Sequence, residues 1–256
     1  MITALGCILG HPLYNFPIGK TTSYNLNVEF DGFVPMLGGI DGKITVDLGM
    51  DVVGIKRLED IIEVASDLSS AEIRLDGEKL PFTVDNIKKF FPKNTITASL
   101  YGQIKTNDAP DIKTPVRLPG LDVKRMPDIS YMPIEFPTNF DGKTDWKFEK
   151  TFGDSKMTYE VSPSWEGSTI LMKVKIAQTY TNYEDESKNL LEKADEAFAR
   201  VVTEVKGEGV IKFDNERGLV TESKIVANAV SQVTELKKET TTERKLKTTL
   251  TCKLKN

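Results

Sequence analysis

Apolar and polar residues alternate strictly along segment after segment of this 256-residue chain. Strict alternation marks a strand with one buried face, because successive side chains leave a strand on opposite sides. Tyr24, Leu26, Val28 and Phe30 fall on one side, with Asn25, Asn27 and Glu29 on the other. Ile44, Val46, Leu48, Met50 and Val52 alternate with Thr45, Asp47, Gly49 and Asp51. Shorter runs carry Ile96, Ala98 and Leu100; Trp146 and Phe148; Met157, Tyr159 and Val161; and Ile170, Met172, Val174 and Ile176. In the last run Leu246, Leu250, Cys252 and Leu254 face in, and Lys245, Lys247, Lys253 and Lys255 face out. Parallel strands buried on both faces would read as continuous Val/Ile/Leu runs, so this pattern predicts antiparallel sheets. The expected fold is mainly β, or α+β, built from curved antiparallel sheets with one or two covering helices.

Four Asp-Gly pairs (Asp31-Gly32, Asp41-Gly42, Asp76-Gly77 and Asp141-Gly142) are expected to mark turns between strands. Thr83 to Phe91 predicts a short helix, with Thr83 as N-cap, Asp85 in the first turn and Pro92 as the stop. Ser187 to Val201 predicts a longer one, because Leu190, Leu191, Ala194, Ala197, Phe198 and Val201 recur at helical spacing.

The chain divides into four parts on this reading. Residues 1–19 form an uncharged apolar segment, 20–106 a β-rich half, 107–139 a proline-rich strap, and 140–256 a second β-rich half with the helix near 187–201. The strap holds half of the 12 prolines, and each removes a ladder donor, so a central strand is not expected there. It also carries Val116, Leu118, Leu121, Val123, Met126, Ile129, Tyr131, Met132, Ile134 and Phe136, which predicts an extended strap that packs on the protein. The two halves read as related. Ile73–Lys79 matches Ile211–Arg217 in kind, Tyr24-Asn25-Leu26 can be set against Trp146-Lys147-Phe148, and the difference in spacing is about the length of the expected helix.

Residues 1–19 are too short for a membrane-spanning helix, and no other segment predicts one. Ala4-Leu5-Gly6-Cys7 resembles a bacterial lipoprotein cleavage box, although only six residues precede the cysteine. A start upstream of Met1, an export-signal remnant and a first strand all remain open. The expected location is extracytoplasmic (periplasm, cell surface or secreted), with the cytoplasm as the alternative.

Composition excludes more than it assigns. Net charge is -4, which leaves no basic footprint for nucleic acid. His11 is the one histidine, so a Ser-His or Cys-His catalytic pair would have to use it; in Gly10-His11-Pro12 it reads as a polar loop residue. Phosphate-loop, nucleophile-elbow, HExxH and dinucleotide-binding motifs are absent, and Gly207-Glu208-Gly209 lies among alternating strand residues rather than before a helix. Cys7 and Cys252 read as two unpaired thiols, with one disulfide as the alternative. Trp146, Phe148, Phe152 and Trp165 read as core. Asp108, Asp111, Asp122 and Asp128 lack the spacing of a calcium loop. The basic stretch Glu235–Asn256 reads as the solvated face of an edge strand, where lysines discourage edge pairing. No catalytic, metal or cofactor residue is nominated, and the binding residues are not assigned.

Gly207, Gly209, Phe213, Asp214, Gly218 and Ser223 follow the pattern Gly-x-Gly-x-x-x-Phe-Asp-x-x-x-Gly-x-x-x-x-Ser. Over its last quarter the chain therefore resembles a set of bacterial secreted and envelope β-rich proteins. The motif implies strand, turn, strand and no chemistry. The architecture is also similar to periplasmic lipoprotein and lipid carriers, in which a curved antiparallel sheet wraps a helix around an apolar cavity. Three functions follow in order of expectation: a non-catalytic envelope or secreted structural or interaction protein, a carrier or sensor of a lipophilic ligand, and a carboxylate-based glycan hydrolase. The expected partner is a lipid or an envelope protein.

Overall fold

The computed structural model describes residues 11–34, 40–89, 91–110, 126–152, 155–188, 190–191 and 194–255. The alternating segments form the strands β1 (Thr21–Val34), β2 (Ile40–Arg57), β3 (Ile61–Leu75), β4 (Glu78–Lys79), β5 (Asn94–Ser99), β6 (Ile104–Asn107), β7 (Trp146–Phe152), β8 (Ser155–Glu166), β9 (Thr169–Glu184), β10 (Leu190–Leu191), β11 (Ala199–Asp214), β12 (Leu219–Glu235) and β13 (Thr241–Leu254). They make one antiparallel sheet, in the order β6-β5-β3-β2-β1-β13-β12-β11-β9-β8-β7, with β4 beside β3 and β10 beside β9. The sheet is two meanders joined in the middle, where β1 pairs with β13 and Val28 lies opposite Leu250. So many long strands cannot stay flat, since twist accumulates and the sheet curls. It curls until β6 and β7, its two outer edges, flank a single cleft of about 440 Å³.

The alternation sets the two faces. Tyr24, Leu26, Val28, Phe30, Val46, Leu48, Met50, Val52, Met157, Tyr159, Val161, Met172 and Val174 are all buried on the concave side. The convex side carries cross-strand polar pairs such as Ser23 with Asp51 and Asn27 with Asp47, and Lys212 and Lys253 both reach Glu222.

Among the described residues, helix is confined to two short pieces. α1 (Val84–Lys88) is closed by a capping box, in which Thr83 Oγ1 accepts from the Asn86 amide and Asn86 Oδ1 accepts from the Thr83 amide. It packs against β3. α2 (Met126–Ile129) opens the described part of the strap. The helix expected over 187–201 is corrected. Leu191 pairs with Tyr183, and Ala199–Val201 open β11, with hydrogen-bonded partners on both β9 and β12. Val201, Val202 and Thr203 are β-branched and suit a ladder, while Phe198, Ala199, Val201 and Val233 form a small apolar cluster of their own. Packing against neighbouring strands overrode the local helical spacing.

Two of the four turn signals hold. Asp76-Gly77 is the two-residue turn between β3 and β4, with φ of 49° and 89°, the primed geometry that Asp-Gly favours. Asp141 turns residues 141–144 by accepting from the Lys143 and Thr144 amides. Asp31-Gly32 and Asp41-Gly42 instead lie inside paired strands, Gly32 opposite Gly42. Gly32 is required there for another reason: its φ is +116°, and a Cβ would stand 2.4 Å from the Lys245 carbonyl oxygen. The basic C-terminal strand is also not an edge: β13 is central, and its exposed lysines line the convex face.

The proposed duplication meets the sheet badly. Ile73–Leu75 ends β3, the third strand of its meander, whereas Ile211–Asp214 ends β11, beyond the third main-path strand β9, and so runs the opposite way. The matched segments hold non-equivalent places, and the inserted helix that would reconcile them is a strand.

Candidate functional site

The concave face is where the chain gathers its unusual groups. At the Tyr24 end it is filled by the strap and by residues 12–16. Met126, Ile129, Tyr131, Met132, Ile134 and Phe136 are all buried, so this described part of the strap runs inside the curl rather than over the surface. Val116, Leu118, Leu121 and Val123 lie outside the described residues. Aromatic rings lock the two segments together. Tyr14 meets Phe213 edge-on at 5.2 Å, Phe136 meets Phe213 at 5.0 Å, and Phe16 meets Tyr131 at 5.7 Å. The Tyr14 hydroxyl donates to the Ile134 carbonyl at 3.1 Å and accepts from the Ile134 amide at 3.3 Å. Complete burial pushes that hydroxyl far above the usual tyrosine range. Asn15 donates to the carbonyl of Gly218, whose φ of +70° belongs to the β11–β12 turn.

Between the sheet edges the strap acts as a bridge. Phe136 donates its amide to the Tyr101 carbonyl beside β5, and Trp146 Nε1 of β7 donates to the Glu135 carbonyl. Lys150 of β7 and Asp128 of α2 form a buried ion pair at 2.6 Å, with side-chain exposures of 3% and 5%. The ammonium also lies 5.8 Å from the Phe148 ring and 6.0 Å from the Tyr159 ring. Glu135 lines the same cleft, and burial raises its carboxyl above the usual range, against the pull of Lys150.

At the opposite end, Arg244 of β13 and Glu184 of β9 meet across the curl. Arg244 Nη1 lies 2.8 and 2.7 Å from the two carboxylate oxygens of Glu184. The guanidinium sits 4.3 Å from the centre of the Phe33 ring, and Lys188 Nζ lies 5.7 Å from the same ring. β9 and β13 are three strand spacings apart, about 14 Å on a flat sheet, so only curvature brings these groups together. Between the two ends runs a buried polar belt, in which Thr203 bonds Ser231 and Gln178 donates to Ser155. A shallow groove of about 470 Å³ on the convex face passes over Gly207 between Lys175, Lys206 and Glu208.

The residues singled out from sequence are scattered. His11 is exposed, and Cys252 is a fully buried free thiol whose burial pushes its pKa up to about 12. Cys7 lies outside the described residues. Asp108 accepts from the Thr95 amide, Asp128 is held by Lys150, and Asp111 and Asp122 are outside the described residues. Among the described residues no three His, Cys, Asp or Glu side chains converge as metal ligands. Trp146, Phe148 and Trp165 pack against the main core, and Phe148 stacks on Tyr159 at 4.7 Å. Gly207 and Gly209 stand inside β11, Asp214 accepts from the Glu216 and Arg217 amides, and Ser223 is buried opposite Cys252. The resemblance motif is thus a strand-turn-strand, as it implied. Lys150, Glu184 and Arg244 were missed. Each sits at an inward phase of its strand, in step with Trp146 and Phe148, with Met172 and Val174, or with Leu246 and Leu250, and that phase was the available signal.

No helix of the described residues is long and apolar enough to cross a membrane. No protein-family model matches the chain, and a search of curated proteins finds no match. A solved structure described as lipid-protein interactions in lipovitellin shares the fold, with a TM-score of 0.53 at 12% identity over 94% of this chain. The match takes in 26% of the lipovitellin chain, so this chain spans about a quarter of its length. An outer membrane channel from Pseudomonas putida F1 aligns at 8% identity over 96% of this chain and 99% of that one, with a TM-score of 0.18, too low to indicate a common fold.

Proposed function

We propose that this chain is a non-catalytic binding protein for a lipophilic ligand, held on the concave face toward the Val34 end of the sheet. One observation carries the reading. Ile73, Leu75, Ile176 and Leu246 share the inward face with the core, yet they are only partly buried. Half-wet apolar side chains on the inside of a curved sheet are a surface that a lipid can cover. Each methylene withdrawn from water contributes about 0.8 kcal/mol, so a long alkyl chain outweighs any one polar contact there. The fold likeness to lipovitellin, in a structure described by its lipid-protein interactions, supports the same class of ligand. We place the protein outside the cytoplasm on this reading.

Native mass spectrometry of protein purified gently from its own source, followed by organic extraction, tests it. Excess mass that extracts as lipid is the expected result. The bare chain mass from a preparation that also takes up no lipid from vesicles would refute it. A second reading, a structural or interaction module, is favoured by the dense aromatic filling of the Tyr24 end, and it predicts whole-number multiples of the chain mass without lipid.

A further inference from the structure

Resting on the lipophilic-ligand reading, we propose that Arg244 is the headgroup anchor of the site and that its ligand is a long-chain carboxylate, with Glu184 occupying the headgroup position when no ligand is present. Arg244 faces inward on β13, in step with Leu246, Thr248 and Leu250, so an alkyl chain leaving its guanidinium toward the core runs along half-buried Leu246. One guanidinium nitrogen, Nη1, reaches both oxygens of a carboxylate at 2.7 and 2.8 Å, a charge-assisted contact that a fatty acid headgroup can make in its place. The Phe33 ring, 4.3 Å from the guanidinium, covers it and fixes its plane. Glu184 balances Arg244, and Lys188 over the same ring adds a second cation, so this mouth of the curl carries a net positive charge among these three groups. Glu184 is itself 3% exposed and comes from a strand three spacings away, so it competes for Arg244 from inside the protein.

The full-length chain, stripped of lipid by organic extraction and refolded, is titrated by calorimetry with oleate, with oleyl alcohol and with acetate. Oleate is expected to bind about tenfold more tightly than oleyl alcohol, the scale of one charge-assisted contact. Arg244→Met is expected to reduce the oleate to oleyl alcohol affinity ratio from about tenfold to about one. Glu184→Gln, which keeps an acceptor for Arg244 but removes the competing charge, is expected to strengthen oleate binding several-fold. Equal affinity of the native protein for oleate and oleyl alcohol overturns the headgroup assignment while leaving the lipophilic-ligand reading intact. So does an unchanged oleate affinity in Glu184→Gln, which decides the matter if Arg244→Met does not fold. Acetate binding as tightly as oleate reduces the site to a bare anion site and overturns the ligand class. Failure of both oleate and oleyl alcohol to bind refutes the proposed function along with this inference.

Discussion

Replacing Lys150 by Met tests whether the strap is held in the sheet by the buried ion pair. The methionine keeps the stem volume beside Phe148 and Tyr159 but takes the Lys150 ammonium away from the Asp128 carboxylate, which is 5% exposed. Removing one partner of a buried pair costs about 3–5 kcal/mol, because the remaining charge stays desolvated. The lost contact with the two rings adds up to about 1 kcal/mol. With a urea slope of about 3 kcal/mol/M for a chain of this size, the midpoint should fall by about 1–2 M. The double variant Lys150→Met/Asp128→Leu removes both charges and is expected to recover most of that loss, since an apolar pair of similar volume is often as stable as the ions it replaces. Equilibrium urea unfolding followed by tryptophan fluorescence reads the effect, because Trp146 hydrogen-bonds the strap at Glu135. A single variant within about 0.5 kcal/mol of the native protein would refute the reasoning. So would a double variant less stable than the single one.

Gly102→Ala should destabilise by about 2–4 kcal/mol, measured by the same unfolding curve, because φ there is +96° and a Cβ would stand 2.2 Å from the Ile134 carbonyl oxygen and 2.6 Å from the Tyr14 ring. Cys252 should stay unlabelled by iodoacetamide at about pH 8 in the native protein and react fully in urea, read by peptide mapping, since burial raises its pKa to about 12. Glu135 has a raised folded pKa, so the folded state binds its proton more tightly than the unfolded state does; its contribution is fully present below the ordinary carboxylate range and is lost as pH rises through the folded value. Glu135→Gln should therefore flatten the pH dependence of stability over that acidic window, with its advantage over the native protein growing toward neutral pH.

The faces of the strands were legible because alternation is a local property: Tyr24 to Phe30 and Ile44 to Val52 are buried in the phase that the sequence predicts. The strap's apolar residues announced packing for the same reason, and the six within the described residues, from Met126 to Phe136, are buried. Pairing was not legible. Nothing near β13 in the sequence says that Leu250 lies opposite Val28, so its lysine-rich outer face reads as that of an edge. Leu190 to Val201 satisfied a helical spacing by accident of composition, and only the ladders of β9 and β12 show why β11 begins at Ala199. Lys150, Glu184 and Arg244 interrupt apolar phases, and nothing local separates such an interruption from the end of a strand; only the fold carries these three charged groups inward.

The junction of β1 with β13 governs how the molecule can be made. Until β13 exists, β1 is an unsatisfied edge, and the two meanders are separate open sheets. Joining them closes a loop through nearly all of the described chain, an entropic cost that local hairpins such as β3–β4 escape. Such long-range pairing places the chain among slow folders, exposed meanwhile to edge-to-edge aggregation. Glu29 and Asp31 on β1, with Lys245 and Lys247 on β13, are then the charges that keep each waiting edge from accepting the wrong neighbour. A chain permuted by joining residue 256 to residue 1, and opened instead in the exposed turn 141–144, would shorten this longest-range joint to the span that carries Tyr14 and Phe16, and should refold faster.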